Sequence, residues 1–142
     1  MELRENFSRY VEKSSLEVPE EKIQQELELL ILEEKQRMQY ETLTGVQMHL
    51  NPGRELQERM AQLRQEAARR AKEEAVLNQI LTSREFPITQ QELQEELLAI
   101  AARQNMPPEE VAAFFGGDMS LLTRDLRQRK AMAWACAQMG MQ

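Results

Sequence analysis

Apolar residues recur along this chain every three or four positions, with charged and amide residues between them. Leu3, Phe7 and Val11 would share one face of a short helix, and similar stripes run through most of the sequence. That spacing is typical of amphipathic helices, whereas the sustained period-two alternation of strands is not found. The pattern therefore predicts an all-α fold of about six helices.

Proline, glycine and capping residues mark where these helices begin and end. Pro19 suits a first helical turn, Asn51-Pro52-Gly53 starts another helix, and Thr89 with Glu92 forms a capping box. With these signals, helices are predicted at about residues 2–13, 19–41, 52–81, 90–104 and 107–115, and from a cap at Asp118 or Ser120 to about 139.

One segment of the chain nearly recurs after seventy residues. The repeat predicts two helix–link–helix units, at about residues 2–41 and 72–104, which would pack on each other or on a shared long helix. The evidence is that "SLEVPEEKIQQEL" (15–27) aligns with "EFPITQQELQEEL" (85–97), so that Gln24, Glu26 and Leu27 fall on Gln94, Glu96 and Leu97.

Composition and charge narrow the function classes. The 142 residues suffice for one domain, residues 1–142, with a modest core. The net charge of −6, with basic residues spread among acids, argues against nucleic acid or an anionic membrane surface as a partner. No run of eighteen apolar residues and no secretion signal is present. A single cysteine, Cys136, fits a reducing cytoplasm.

Candidate catalytic and ligand residues are few. His49 is the only histidine and lacks metal-ligand partners at a known spacing, so we interpret it as a loop histidine near a helix start. Cys136 has no histidine near it in sequence and is interpreted as a small buried apolar residue. The glutamates are typical of solvated helix faces. We therefore expect no catalytic residue, no metal and no cofactor, and hence no enzyme.

Apolar residues that fall outside a regular helical stripe are the best candidates for exposed binding surface. The helical period breaks around Gly45, and Phe114 and Phe115 lie beside a glycine helix stop. Adjacent residues cannot both point the same way from a short helix. The predicted substrate-binding residues are Met38, Tyr40, Val46, Met48, Leu50, Phe114 and Phe115.

Four segments of the chain follow a familiar order: "SLEVPEEKIQQELELLILEEKQRM", "ELQERMAQLRQEAARRAKEEAVLNQIL", "REFPITQQELQEELLAIAARQNMPPEEVAAFF" and "DLRQRKAMAW". In this order they resemble the C-terminal chaperone domain of bacterial trigger factor, over about Leu3 to Gln138. The resemblance implies an irregular, elongated helical array with two protruding arms that form a cradle for unfolded nascent chains. It also implies a cytoplasmic chaperone.

The family's ribosome-docking and prolyl isomerase domains have no counterpart in this sequence. We therefore expect no isomerase activity, and ribosome binding only through the missing domains; the chain resembles an excised domain or a shortened relative. The expected function is to bind unfolded or nascent polypeptides by apolar contact. The alternative is a helical oligomerisation or scaffold protein without clients, and weak homodimerisation is left open.

Overall fold

A computed structural model describes residues 2–140, and within that range every regular element is an α-helix. The all-α prediction is therefore confirmed. The six helices are α1 (Glu2–Lys13), α2 (Glu20–Thr44), α3 (Pro52–Ser83), α4 (Gln90–Gln104), α5 (Pro108–Phe114) and α6 (Ser120–Gln138).

The predicted start signals act at two of the helix beginnings. Thr89 accepts from the backbone N–H of Glu92, and the Glu92 carboxylate accepts from the N–H of Thr89, which completes the capping box of α4. Asn51 Oδ1 accepts from the N–H of Arg54 at the start of α3, at 3.2 Å. The side-chain oxygens of Thr89 and Asn51 thus satisfy two amides, those of Glu92 and Arg54, that have no partner within their helices.

The start of α6 differs from the prediction. Ser120 is its first helical residue rather than a cap, and the N-cap position belongs to Met119 in the left-handed conformation, with φ 59°. Asp118 still contributes, because its Oδ1 accepts from the N–H of Ser120 at 3.1 Å. This hydrogen bond holds the pKa of the Asp118 carboxyl below its usual value.

The boundaries of the repeat agree with its seventy-residue offset. Helix α1 ends at Lys13 and α3 at Ser83, while α2 begins at Glu20 and α4 at Gln90. In the links between them, the matched apolar pairs are half-buried on both sides: Leu16 with Phe86, and Val18 with Ile88. From the same offset we expect residues 5–33 to superpose on residues 75–103 with the same helix–link–helix geometry, and this stays a prediction.

The chain divides into two compact units. The first comprises residues 1–13 and 77–142, of which the structure describes 2–13 and 77–140. In it, α1 packs against α6, whose Ala131 and Ala135 are fully buried and allow a close approach. Helices α4 and α5 pack together through a smaller cluster formed by Leu97, Ala101 and Val111.

The second unit, residues 14–76, is a helical hairpin of α2 and the part of α3 up to Val76. One apolar stripe from each helix forms its core. The buried members are Leu27, Leu30 and Met38 of α2 with Leu56, Leu63 and Ala67 of α3. The loop between the two helices, residues 45–51, lies at one end of this hairpin. We call this loop, together with the end of α2 from residue 40, the hairpin tip.

Candidate functional site

Large apolar side chains are exposed to solvent at the hairpin tip. Five of them fall within eleven consecutive residues, and Leu50 is 90% exposed. Single exposed apolar residues are ordinary, but such a concentration makes this part of the chain the candidate contact surface. We call this set the tip surface; its members are Tyr40, Leu43, Val46, Met48 and Leu50.

The backbone of the tip is held by hydrogen bonds even though these side chains are exposed. Gly45 ends α2 in the left-handed conformation, with φ 79°, and the N–H of Gln47 donates to the carbonyl of Glu41 at 3.2 Å. The N–H of His49 donates to the hydroxyl of Thr42 at 3.3 Å. The apolar side chains are therefore presented from the end of α2 and from a hydrogen-bonded loop.

His49 belongs to this loop, and its side chain is buried between two glutamates. Its Nε2 lies 2.7 Å from Oε1 of Glu41 on α2, and its Nδ1 lies 3.0 Å from both carboxylate oxygens of Glu55 on α3. The sequence interpretation placed this residue correctly near a helix start but missed its burial and both partners. Glu41 and Glu55 stand eight residues before it and six after it, a spacing that no familiar motif uses.

Charges of alternating sign continue from His49 along the hairpin. Glu41 also accepts from Arg37 at 2.7 Å, Arg37 donates to Glu34 at 2.7 Å, and Glu34 in turn binds Arg59 of α3. The hydrogen bonds to Glu55 and Glu41 raise the pKa of His49. Those from His49 and Arg37 lower the pKa of the Glu41 carboxyl.

Met38 does not belong to the accessible surface, and its prediction as a binding residue is wrong in that respect. Its side chain is only 3% exposed and packs in the core between α2 and α3. Met38 lies within α2 whether that helix ends near residue 41, as expected, or at Thr44, as observed, and it continues the buried stripe of the helix. It lies eleven residues after Leu27, which is three helical turns. This spacing of Met38 from Leu27 could have been recognised in the sequence.

The two adjacent phenylalanines of the first unit point in different directions, as expected. Phe114 is 79% exposed, whereas Phe115 is half-buried and packs against the cluster of Leu97, Ala101 and Val111. Their rings meet edge to face, with centroids 5.3 Å apart. Phe114 is therefore a candidate contact residue, and Phe115 serves mainly to hold α5.

Cys136, the remaining candidate for chemical reactivity, has a structural role. Cys136 is buried, as predicted; its thiol lies 3.9 Å from the carbonyl of Leu3, and burial raises its pKa, so it stays protonated. Within residues 2–140, no three or more His, Cys, Asp or Glu side chains are arranged to hold a metal ion. None of the helices in that range is long and apolar enough to cross a membrane.

Comparison with known proteins decides the family. The family model described as the C-terminus of the bacterial trigger factor protein matches residues 3–137. The chain belongs to the trigger factor C-terminal family. This confirms the resemblance found in the sequence.

Curated relatives of this family carry the name trigger factor. The chain is 28% identical to that of Listeria monocytogenes over 128 residues, which is 90% of this chain and 30% of the relative. It is 26% identical to that of Bacillus pumilus over 121 residues, covering 85% of this chain and 28% of the relative. The chain thus spans less than a third of the trigger factors it matches. No solved structure matches it significantly.

Proposed function

We propose that this chain is a chaperone module that holds unfolded or nascent polypeptides on exposed apolar surface. The observation that carries the proposal is the tip surface, in which five large apolar side chains are exposed on the end of α2 and on the hydrogen-bonded loop that follows it. Membership of the trigger factor C-terminal family supports a chaperone role. The exposed Phe114 supplies a second contact point in the first unit.

Binding of this kind needs no covalent chemistry. Each square ångström of apolar surface removed from water contributes about 25 cal/mol, so a few side chains suffice for weak attachment. Ordering a flexible client opposes this gain, which keeps the attachment reversible. Such contacts also tolerate many client sequences, since apolar burial is not directional.

The charge of the module favours particular clients. With a net charge of −6, it attracts polypeptides rich in lysine and arginine and repels acidic ones. Nucleic acid and anionic membrane surfaces are poor partners for the same reason. A bacterial cytoplasmic location and delivery to the ribosome through other trigger factor domains belong to the same proposal. We include no catalytic step in it.

The direct test is suppression of aggregation. A chemically denatured client is diluted into buffer with and without the 142-residue chain, and light scattering is followed over time. The proposal predicts that scattering falls as the chain is added in stoichiometric amounts. Unchanged scattering, together with a molar mass that rises with protein concentration, would favour the alternative in which the exposed apolar residues pair copies of this chain.

A further inference from the structure

The protonation state of His49 can be read from its two contacts. Each ring nitrogen lies within hydrogen-bond distance of a carboxylate, Nε2 of Glu41 and Nδ1 of Glu55. An ionised carboxylate only accepts hydrogen bonds, and a neutral imidazole carries one N–H. With both carboxylates ionised, both contacts are hydrogen bonds only if the ring is doubly protonated. The geometry therefore corresponds to an imidazolium between two carboxylates.

The other charged groups near His49 do not take the place of Glu41 and Glu55 as hydrogen-bond partners of the ring. From α2, Arg37 shares Oε1 of Glu41 with the ring, and Lys35 lines a surface groove that His49 also lines. From α3, Glu55 is the charged residue in contact with the ring. Loss of the ring proton would leave a nitrogen lone pair facing a carboxylate, which is repulsive.

We propose that His49, Glu41 and Glu55 form a protonation-dependent latch that fixes the hairpin tip. The latch joins the end of α2, the loop and the start of α3 through one buried ring. His49 lies between Met48 and Leu50 in sequence, so its release would free the segment that presents both side chains. The expected effect of the latch on client binding rests on the proposed function. The existence of the latch does not depend on that function.

The direction of the pH dependence follows from the raised pKa of His49. A histidine whose pKa is higher in the folded than in the unfolded protein stabilises the fold fully below the unfolded value, which is about 6.5. That contribution is lost as the pH rises through the higher, folded value. The tip is therefore fixed under mildly acidic conditions and loosens as the pH increases.

Nuclear magnetic resonance can follow the latch directly, because His49 is the only histidine in the chain. The ring resonances and the backbone amides of residues 45–51 are recorded across a pH titration of the full chain. We expect the ring to titrate above its ordinary value, and the tip amides to shift with the same midpoint. A ring that titrates at or below the ordinary value, or tip amides that do not follow it, would overturn the proposal.

Two glutamine variants complete the test. Glu55→Gln should lower the midpoint of His49 by about half a pH unit or more, since a carboxylate that favours the charged ring is lost. The matched control is Glu58→Gln, one turn further along α3, whose carboxylate pairs with Arg54 instead. Equal effects of the two variants would contradict the latch. If Glu55→Gln fails to fold, Glu41→Gln is judged by the same criterion.

A client titration separates this inference from the proposed function. If the latch titrates as described but client affinity does not change with pH, the latch is confirmed, but its role in presenting Met48 and Leu50 to clients is wrong. If no client binds at any pH, the proposed function fails, and the resonance data still decide on the latch.

Discussion

Met38 and Met48 belong to the same hairpin end, ten residues apart, yet they occupy opposite environments. Met38 is 3% exposed and Met48 is 66% exposed. Methionine suits both places, because its flexible thioether fills irregular cores and also adapts to varied partners. The residue type therefore does not distinguish the two positions. Met38 falls on the buried stripe of α2, whereas Met48 lies in the loop after that helix has ended.

The two methionines should respond in opposite ways to replacement by serine. Met38→Ser should lower the free energy of unfolding by about 2–5 kcal/mol, because it leaves a cavity and a buried hydroxyl in the core. Met48→Ser should change it by less than about 0.5 kcal/mol, as is usual for exposed positions. Urea denaturation followed by circular dichroism gives both values. Similar losses for the two variants would mean that Met48 is also a core residue.

The glycines on either side of the tip loop form a second matched pair. Gly45 has φ 79°, and no atom lies within 4 Å of the place a Cβ would occupy, so Gly45→Ala suffers from backbone strain alone, about 1–2 kcal/mol. Gly53 lies in the first turn of α3, and a Cβ there would meet its nearest atom at 3.9 Å. Gly53→Ala should be neutral or stabilise by up to about 1 kcal/mol. Thermal melts that gave the same sign for both would contradict the described tip backbone.

The capping box of α4 provides a test in the first unit. Thr89→Ala removes the side-chain oxygen that accepts from the N–H of Glu92 at 3.1 Å, and should cost about 1 kcal/mol of stability. Thr82→Ala is the control, because its hydroxyl donates to the carbonyl of Gln79 within α3 and caps no free amide. Its effect should stay below about 0.5 kcal/mol. Denaturant titrations of the two variants would show no difference if the box did not stabilise α4.

The helices were predictable because their boundaries depend on local chemistry. The boundary signals at Asn51-Pro52, Thr89 and Gly116 act through the backbone of the nearest few residues. The end of α2 was placed three residues too early, near 41 instead of 44. The first glycine after the stripe, Gly45, is the residue that ends the helix, and the C-cap rule identifies it.

The candidate site was predictable only in part, because it depends on contacts between distant segments. Four of the tip positions were identified from broken periodicity, whereas Leu43 was missed, although it lies only two residues before Gly45. The burial of His49 requires α2 and α3 to bring Glu41 and Glu55 together, and no local pattern reports that. The lone histidine in a glutamate-rich hairpin was a signal too weak to interpret without the fold.

The measurement that tests the account most directly is a binding titration with a permanently unfolded, reduced and alkylated polypeptide. It compares the wild-type chain with the triple variant Val46→Ser, Met48→Ser, Leu50→Ser. The control carries three serines at exposed polar positions of the same hairpin, Gln47→Ser, Gln57→Ser and Gln62→Ser.

All three proteins should unfold at similar denaturant concentrations, which shows that the fold is preserved. If the tip surface holds the client, the apolar triple variant binds about fivefold more weakly or worse, equivalent to about 1 kcal/mol, and the control binds like the wild type. An unchanged Kd for the folded apolar variant would contradict the account.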